Sequence, residues 1–203
     1  MRLLLLAVAV LAAVAGCHAD VPGRAHASRD GFVVKDGTRL RFRPVVSELP
    51  PGPAAGPQGQ RQSTDRVTQE AAARALSCGP GEADALDGRD DPALPLVSCD
   101  RAQGTRYILG PGFLSGADVS WVEARLDPAV SGALVTITFT AAGARTWAEW
   151  TGRNVGKQVA MVVKSGVLTA PVVQSAITDG ATQITGKFTL PEAQQLARDI
   201  AGA

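Results

Sequence analysis

Histidine and aromatic residues are scarce in this chain of 203 residues. It has two histidines, His18 and His26, and aromatic residues make up 4% of the sequence. Both histidines precede the region with helix and strand periodicity, so the commonest general base of hydrolases is missing from the expected folded domain. No serine has the Gly-x-Ser-x-Gly context of a nucleophile elbow. We therefore expect no enzymatic activity.

Excess charge of either sign is also absent. The 20 Lys and Arg residues nearly balance the 19 Asp and Glu residues, which gives a net charge of +1 at pH 7. Nucleic-acid-binding domains are usually basic, so this balance argues against a nucleic acid partner. The turn Gly110-Pro111-Gly112 is not followed by the lysine of a phosphate-binding loop. We expect no cofactor.

Cysteine occurs three times, and the first cysteine stands in an export signal. Arg2 is followed by an apolar run from Leu3 to Ala13, which is too short to span a membrane. Val14-Ala15-Gly16-Cys17 then fits a bacterial lipobox. We predict a signal peptide over 1–16 and an acylated Cys17 that anchors the chain on the extracytoplasmic face of the cell membrane. A secretory signal with a chance cysteine is the alternative.

The other two cysteines, Cys78 and Cys99, would lie in an oxidising compartment. We predict a disulfide between them, worth about 3 kcal/mol for a loop of this size. Metal binding by two thiolates is the rival interpretation, but the spacing is not Cys-x-x-Cys and no histidine is near. The loop carries four acidic residues that could suggest calcium: Asp84, Asp87, Asp90 and Asp91. They lack the spacing of a calcium-binding loop, so we expect no metal site.

Composition divides the mature chain into a tether and one domain. Residues 17–38 are polar and irregular, which predicts a flexible tether with little periodicity beyond Phe32-Val33-Val34. Residues 39–203 are of single-domain size. Within them, 47–63 is rich in proline and glycine and predicts a mobile loop. The segment 78–99 is expected to be a second loop, closed by the disulfide.

Hydrophobic periodicity predicts an α+β fold, with an antiparallel or mixed sheet and helices packed on one face. Expected strands start at Leu40, at Val135 and at Val159, and the last opens a hairpin that turns at Ser165-Gly166. Expected helices are capped by Thr64 or Asp65, by Thr140 and by the Thr189-x-x-Glu192 capping box. Their apolar faces are Val67, Ala71, Ala75 and Leu76 in the first, Ala144, Trp147, Ala148 and Thr151 in the second, and Ala193, Leu196, Ala197 and Ile200 in the third.

Three side chains are candidate binding contacts. Arg41 and Arg43 alternate with apolar residues along the first strand, either as a functional patch or as solvated charges on a strand face. Trp147 lies on the apolar stripe of its helix, which favours a core anchor over a ligand platform. Trp150 falls off that stripe, so we expect it to be exposed and available to a partner.

Short motifs spread over residues 40–200 resemble one family, the head subdomain of the first extracytoplasmic domain of SecD/SecDF proteins. The resemblance rests on Phe42-Arg43-Pro44-Val45, Tyr107-Ile108-Leu109-Gly110-Pro111, Gly116-Ala117-Asp118-Val119, Asn154-Val155-Gly156-Lys157, Ala160-Met161-Val162-Val163, Thr169-Ala170-Pro171-Val172, Ile177, Gly180, Ile184-Thr185-Gly186 and Glu192-Ala193. One departure is that Lys164-Ser165 stand where the family usually has Asp-Gly. We expect the hairpin to survive with a shifted turn.

This resemblance implies a head-like fold that contacts emerging or unfolded polypeptide, with components of the Sec translocon as further partners. No segment after the signal reaches membrane-spanning length, so we do not expect this sequence to carry the proton-driven motor of the family. The expected function is a membrane-anchored, non-enzymatic binding module that assists protein export or folding. The alternative is a structural or interaction lipoprotein of the cell envelope with no export role.

Overall fold

The structure, a computed structural model, describes residues 31–34, 40–79, 82, 84–100, 102–127 and 132–202, apart from the side chains at 186 and 187. The predicted signal peptide and Cys17 lie outside this range. The strands are β1 (Gly31–Val33), β2 (Leu40–Leu49), β3 (Leu96–Cys99), β4 (Arg106–Leu109), β5 (Leu114–Ser115), β6 (Val119–Asp127), β7 (Gly132–Phe139), β8 (Val159–Val163), β9 (Gly166–Thr169) and β10 (Ala181–Phe188). The helices are α1 (Arg66–Ala75), α2 (Ala141–Arg153) and α3 (Leu190–Ala201), with a short 3-10 turn at Gly116–Asp118.

The described strands form two sheets. One has the order β1-β6-β7-β10, and the other has the order β3-β4-β2-β8-β9, with β5 also pairing with β2. Every ladder between named strands is antiparallel. The α+β class is thus confirmed, and the helices are shared between two sheets.

Strand β8 joins two hydrophobic cores because both of its faces are buried. Val159, Met161 and Val163 point into the larger core, while Ala160 and Val162 point into a smaller one with Leu96, Leu109 and Val167. Alternate residues of a strand point to opposite faces, so an apolar run without alternation is what a two-sided core requires. The prediction of a buried strand from this run is confirmed.

Helices α2 and α3 cover one face of the four-stranded sheet and contribute to the larger core. Thr140 caps α2 by accepting from the Gly143 N–H, and Thr189 with Glu192 forms the predicted capping box of α3. Trp147 is 1% exposed and anchors α2, as predicted. The predicted face of α3 is mostly confirmed, since Ala193, Ala197 and Ile200 are buried and Leu196 packs against the core at its edge.

Helix α1 packs on β3 and β4 with a face that agrees with the predicted one at Ala75 and Leu76 but not at Val67 and Ala71. Val67 is 72% exposed, and the small apolar contact is made by Ala72 and Ala73 against Val97 and Ile108. The other residues buried along the helix are Gln69 and Ala75. An alanine-rich helix has more than one stripe of small apolar residues at the same spacing. The stripe that faces the sheet is the one that lets the helix pack closest to it.

The domain begins earlier than the predicted boundary at residue 39. Strand β1 lies inside the segment predicted to be a flexible tether, and it pairs with β6 as the edge of the four-stranded sheet. Phe32 packs against the larger core. A Cβ at Gly31 would lie 2.0 Å from the ring of Trp121, so this glycine lets the indole rest on the strand.

Two loop boundaries also differ from the prediction. Strand β2 continues to Leu49, so the first three residues of the predicted loop 47–63 are in the sheet. Pro44 lies within the strand and does not end it. The register against β4 shifts directly after it, between Val45 and Ser47, and a strand accommodates the missing N–H of a proline beside such an irregularity. The last four residues of the predicted loop 78–99 form β3, which is buried along its whole length.

The hairpin between β8 and β9 turns at Lys164-Ser165 without the expected shift. Val163 pairs with Gly166, so only these two residues form the turn, with φ values of +48° and +62°. Two positive φ angles are the geometry that usually calls for Asn-Gly or Asp-Gly. Ser165 is held there by three contacts, because its hydroxyl donates to Asp90 Oδ1 (2.7 Å), its Oγ accepts from the Gly88 N–H (2.9 Å) and its carbonyl accepts from Ser98 (2.5 Å).

None of the helices in the described part of the chain combines the length and apolar character needed to cross a bilayer.

Candidate functional site

Arg43, one of the three predicted contacts, is buried. Its side chain is 0% exposed, and its guanidinium donates to the carbonyls of Leu94 (2.7 Å) and Gly110 (3.0 Å) and to Asp90 Oδ2 (2.8 Å). Burial lowers the pKa of Arg43, and the hydrogen bond and charge of Asp90 oppose that shift. The prediction that Arg43 is a surface charge is wrong, because its donors are used to fasten the 90–94 segment to β2.

Arg41 is half-buried and lies on the opposite face of β2 from the aromatic residues. Its guanidinium donates to its neighbour's carbonyl, Leu40 O, at 3.0 Å. Phe42, the next residue, points into the larger core beside Trp147, with ring centroids 5.4 Å apart. Because successive strand residues alternate in direction, Arg41 and Trp150 belong to different surfaces of the molecule. The predicted arginine and tryptophan contacts are not brought together.

Trp150 is half-buried in an aromatic stack and not fully exposed as predicted. Its ring lies parallel to Phe113 at a centroid distance of 4.6 Å, and Trp147 is 6.2 Å away. Phe113 comes from the segment between β4 and β5, more than thirty residues upstream in the sequence. The stack leaves an aromatic edge at the surface of α2. Nothing in the spacing around Phe113 indicated this partner.

The structure adds a feature that the sequence did not reveal, a cavity of about 170 Å³ between α2, β8, β10 and the segment 171–177. Its lining consists of Trp147, Val159, Met161, Pro171, Val172, Val173, Gln174, Ser175, Ile177, Thr182 and Gln183. We call it the β10 cavity. Val172 is 43% exposed at its rim, so the cavity communicates with solvent.

Main-chain bonds hold the wall of the β10 cavity in place. Gly156 N–H donates to Val173 O (2.8 Å), Val173 N–H donates to Lys157 O (2.9 Å), and Val159 N–H donates to Pro171 O (3.1 Å). Further along, the Ile177 N–H donates to Thr151 Oγ1 at 3.0 Å. The segment is therefore held at one end by residues 156–159 and at the other by Thr151 of α2, so the cavity has a preformed wall.

The β10 cavity is uncharged, and one of its lining residues has a buried donor without a partner in the described part of the chain. None of its lining residues is acidic or basic. Trp147, which lines it, is buried, and its indole Nε1–H makes no hydrogen bond in the described structure. A buried donor left unpaired costs roughly 1–3 kcal/mol, so such groups call for an explanation. An apolar occupant carrying one hydrogen-bond acceptor fits this environment.

Two larger cavities, of about 360 and 520 Å³, lie beside the disulfide-closed segment. The first includes Arg61 and Asp84, which form an ion pair at 2.5 Å. The second includes Asp87, Asp100 and Lys164. Their charged walls make them less suited to an apolar occupant. Cys99 lines the first cavity and is bonded to Cys78, so the predicted disulfide is present in the structure.

Of the four aspartates in that segment, Asp84, Asp90 and Asp91 contact the protein itself. Asp84 pairs with Arg61, Asp90 pairs with Arg43, and Asp91 accepts from the Ala93 N–H. The described residues contain no group of three or more acidic, cysteine or histidine side chains arranged to hold a metal ion.

Known proteins resemble the chain over most of this fold. The family model of the SecDF P1 head subdomain matches residues 95–203. A protein translocase subunit SecD of Mycobacterium tuberculosis (strain CDC 1551 / Oshkosh) is 37% identical over 140 residues, which are 68% of this chain and 24% of that protein. The protein translocase subunit SecDF of Thermus thermophilus is 40% identical over 109 residues, 54% of this chain and 15% of that protein.

A solved structure of SecDF, described as a membrane component that enhances protein export, covers 91% of this chain and 72% of that chain, with 26% identity and a TM-score of 0.46. This chain spans about a quarter of the mycobacterial subunit, so the similarity concerns one part of a larger translocase protein. With more than half of its residues matched by the family model, the chain belongs to the SecDF P1 head subdomain family.

Proposed function

We propose that this chain is a membrane-tethered, non-enzymatic head module that binds unfolded or emerging polypeptide outside the cytoplasmic membrane and so assists protein export or folding. Its relatives are subunits of the protein translocase. The observation that carries the proposal is the β10 cavity, an uncharged opening lined in part by Trp147, whose buried indole N–H has no partner among the described residues. Unfolded chains expose apolar side chains and unpaired carbonyls together, and folded surfaces rarely do.

The size of the β10 cavity suits reversible binding. Its volume of about 170 Å³ is close to the roughly 150 Å³ of cavities that take up a benzene molecule. Burying one aliphatic side chain contributes about 1.5–3 kcal/mol, and a millimolar dissociation constant corresponds to about 4 kcal/mol. One cavity contact therefore supplies part of a weak interaction. Weak binding is what a module needs if it must release the polypeptide.

A lipid on Cys17 would keep this module at the membrane surface. The thirteen residues between Cys17 and Gly31, the first residue of β1, can span at most roughly 45 Å when extended. The β10 cavity would then stay within a short distance of the place where a polypeptide leaves the membrane.

Photo-crosslinking in living cells tests this function directly. A photoreactive residue replaces Val172 at the rim of the β10 cavity or Trp150 in the aromatic stack. The control position is Val67, which is 72% exposed on α1, the helix that packs against the other sheet. We expect crosslinks from Val172 to many newly exported chains and to Sec components, and few from Val67.

Crosslinks from Val172 to one folded envelope protein, with none to exported chains, would contradict the proposal. They would favour the alternative of a structural or interaction module. An aggregation assay separates the same two functions in solution, because a polypeptide-binding module should slow the aggregation of an unfolded client and a scaffold should not.

A further inference from the structure

One side of strand β10 has no pairing partner among the described strands, because β10 ends the order β1-β6-β7-β10. The hydrogen bond from the Phe139 N–H to Gly180 O (3.0 Å) shows which residues of β10 face β7. In an antiparallel ladder every second residue pair is hydrogen-bonded, so the pairs two and four residues beyond Gly180 are bonded as well. The register identifies these pairs as Thr182 with Ile137 and Ile184 with Val135. Thr182 and Ile184 therefore point their main-chain groups at β7.

The main-chain groups of Ala181, Gln183 and Thr185 consequently point to the open side of β10. No backbone hydrogen bond outside the β10–β7 ladder involves these three residues in the described structure. Gln183 and Thr185 are exposed. Main-chain donors and acceptors at this spacing form a template for one further strand.

The β10 cavity lies directly beside this template. Thr182 and Gln183 belong both to the strand and to the cavity wall. Side chains of an added strand would alternate in direction, so every second one would point to the side of the sheet that carries Thr182, Ile184 and the larger core. That is the side on which Trp147 and Met161 line the cavity. The edge and the cavity can thus be filled by a single extended segment.

We propose that an extended, uncharged polypeptide segment binds by adding to the open edge of β10 as a further strand and placing one apolar side chain in the β10 cavity. The uncharged lining selects an uncharged side chain. Main-chain pairing is independent of sequence, which suits a module that meets many polypeptides. This inference rests on the proposed function and names its mode of binding.

The test uses the full chain in lipid nanodiscs and a short, capped, fluorescent peptide of alternating valine and threonine. A second peptide carries N-methyl groups on all its valine amides, and a third carries them on all its threonine amides. In a paired strand only one of these two sets of amides, the valine set or the threonine set, can face β10. We expect one methylated peptide to bind at least about tenfold more weakly, and the other to bind within about twofold of the parent.

A variant of the chain tests the same contact from the other side. Gln183→Pro removes an N–H that faces the open edge and leaves the β10–β7 bonds in place, so it should weaken binding by about tenfold or more. Gln183→Thr changes the same side chain but keeps the N–H, so it should bind the peptide several-fold more tightly than Gln183→Pro does. Circular dichroism and the unchanged melting temperature of each variant show that the fold is retained.

The outcomes separate this inference from the proposed function. If the parent peptide binds but both methylated peptides bind equally well, pairing at β10 is wrong and polypeptide binding stands. If neither the parent peptide nor any exported chain binds, the proposed function itself fails. If light scattering finds a dimer that Gln183→Pro dissociates, and no peptide binds, the edge is occupied by a second copy and the inference is overturned.

Discussion

At the scale of single residues, the two arginines of β2 have opposite roles despite their similar positions in the sequence. Arg43 is buried with Asp90, whereas Arg41 is half-buried and, within the described part of the chain, donates to its neighbour's carbonyl. Replacing Arg43 by methionine should lower the free energy of unfolding by roughly 3–5 kcal/mol, because Asp90 is left buried with its charge. The matched change Arg41→Met should cost less than about 1 kcal/mol.

Urea denaturation of the two variants measures this difference. Adding Asp90→Asn to Arg43→Met should recover part of the lost stability, because the unpaired carboxylate is then removed. Equal destabilisation by Arg41→Met and Arg43→Met would contradict the assignment of Arg43 as an internal clamp.

The turn residues Lys164 and Ser165 make a second prediction at this scale. Lys164 is exposed with a φ of +48°, so Lys164→Asn should raise the free energy of unfolding by roughly 0.5–1 kcal/mol. Ser165→Gly should lower it by about 1 kcal/mol although glycine suits the turn, because the Gly88 N–H loses its acceptor and Asp90 loses one of its two donors. Stabilisation by Ser165→Gly in thermal denaturation would show that backbone strain outweighs these hydrogen bonds.

At the scale of elements, the start of α3 makes stability depend on pH. Glu192 accepts from the Thr189 N–H and hydroxyl, and these bonds hold its pKa below the ordinary value of 4.5. A lowered carboxyl pKa stabilises the fold at neutral pH, and that contribution is lost as the pH falls through the folded-state pKa. The stability difference between wild type and Glu192→Gln should therefore be constant near neutral pH and should shrink below about pH 4.5.

Urea denaturation across this pH range measures the effect. Replacing Glu123, which lies in β6 and takes no part in a helix cap, gives a control for the general loss of a carboxylate. A difference between wild type and Glu192→Gln that persists unchanged in acid would show that shape, not charge, determines the cap.

At the scale of the whole molecule, the proposed anchor determines where the β10 cavity can act. If Cys17 is acylated, Cys17→Ser should move the chain from the membrane fraction to the soluble extracytoplasmic fraction, because a chain without its acyl groups has little membrane affinity. Its fold should not change, since Cys78 and Cys99 pair with each other. Fractionation with an antibody detects the shift, and retention of the variant in the membrane would rule out a lipid on Cys17 as the main anchor.

Local patterns predicted several elements correctly. The run Val159–Val163 indicated a strand, and Thr189-x-x-Glu192 indicated the start of α3, because both signals depend on neighbouring residues alone. The motifs that resemble the SecD head identified the family over the matched range. The pairing of Cys78 with Cys99 followed from the cysteine count and the expected compartment.

The errors concern positions where a distant segment decides the environment. Val67 was predicted to be buried because more than one face of α1 has apolar residues at helical spacing. The face that is buried depends on how the helix packs on β3 and β4. Arg43 was predicted to be exposed because Asp90, its partner, lies 47 residues away in the sequence.

The family, the helix caps and the buried strand are predictable from the chain alone, because capping bonds and apolar runs act between residues close in sequence. The burial of Arg43, the turn at Lys164-Ser165 and the β10 cavity depend instead on contacts between distant segments. The cavity exists because α2, β8, β10 and the segment 171–177 meet there, and no local pattern fixes how four separate elements leave a space between them. The same packing leaves one side of β10 without a pairing strand among the described residues, which gives the cavity a strand edge beside it.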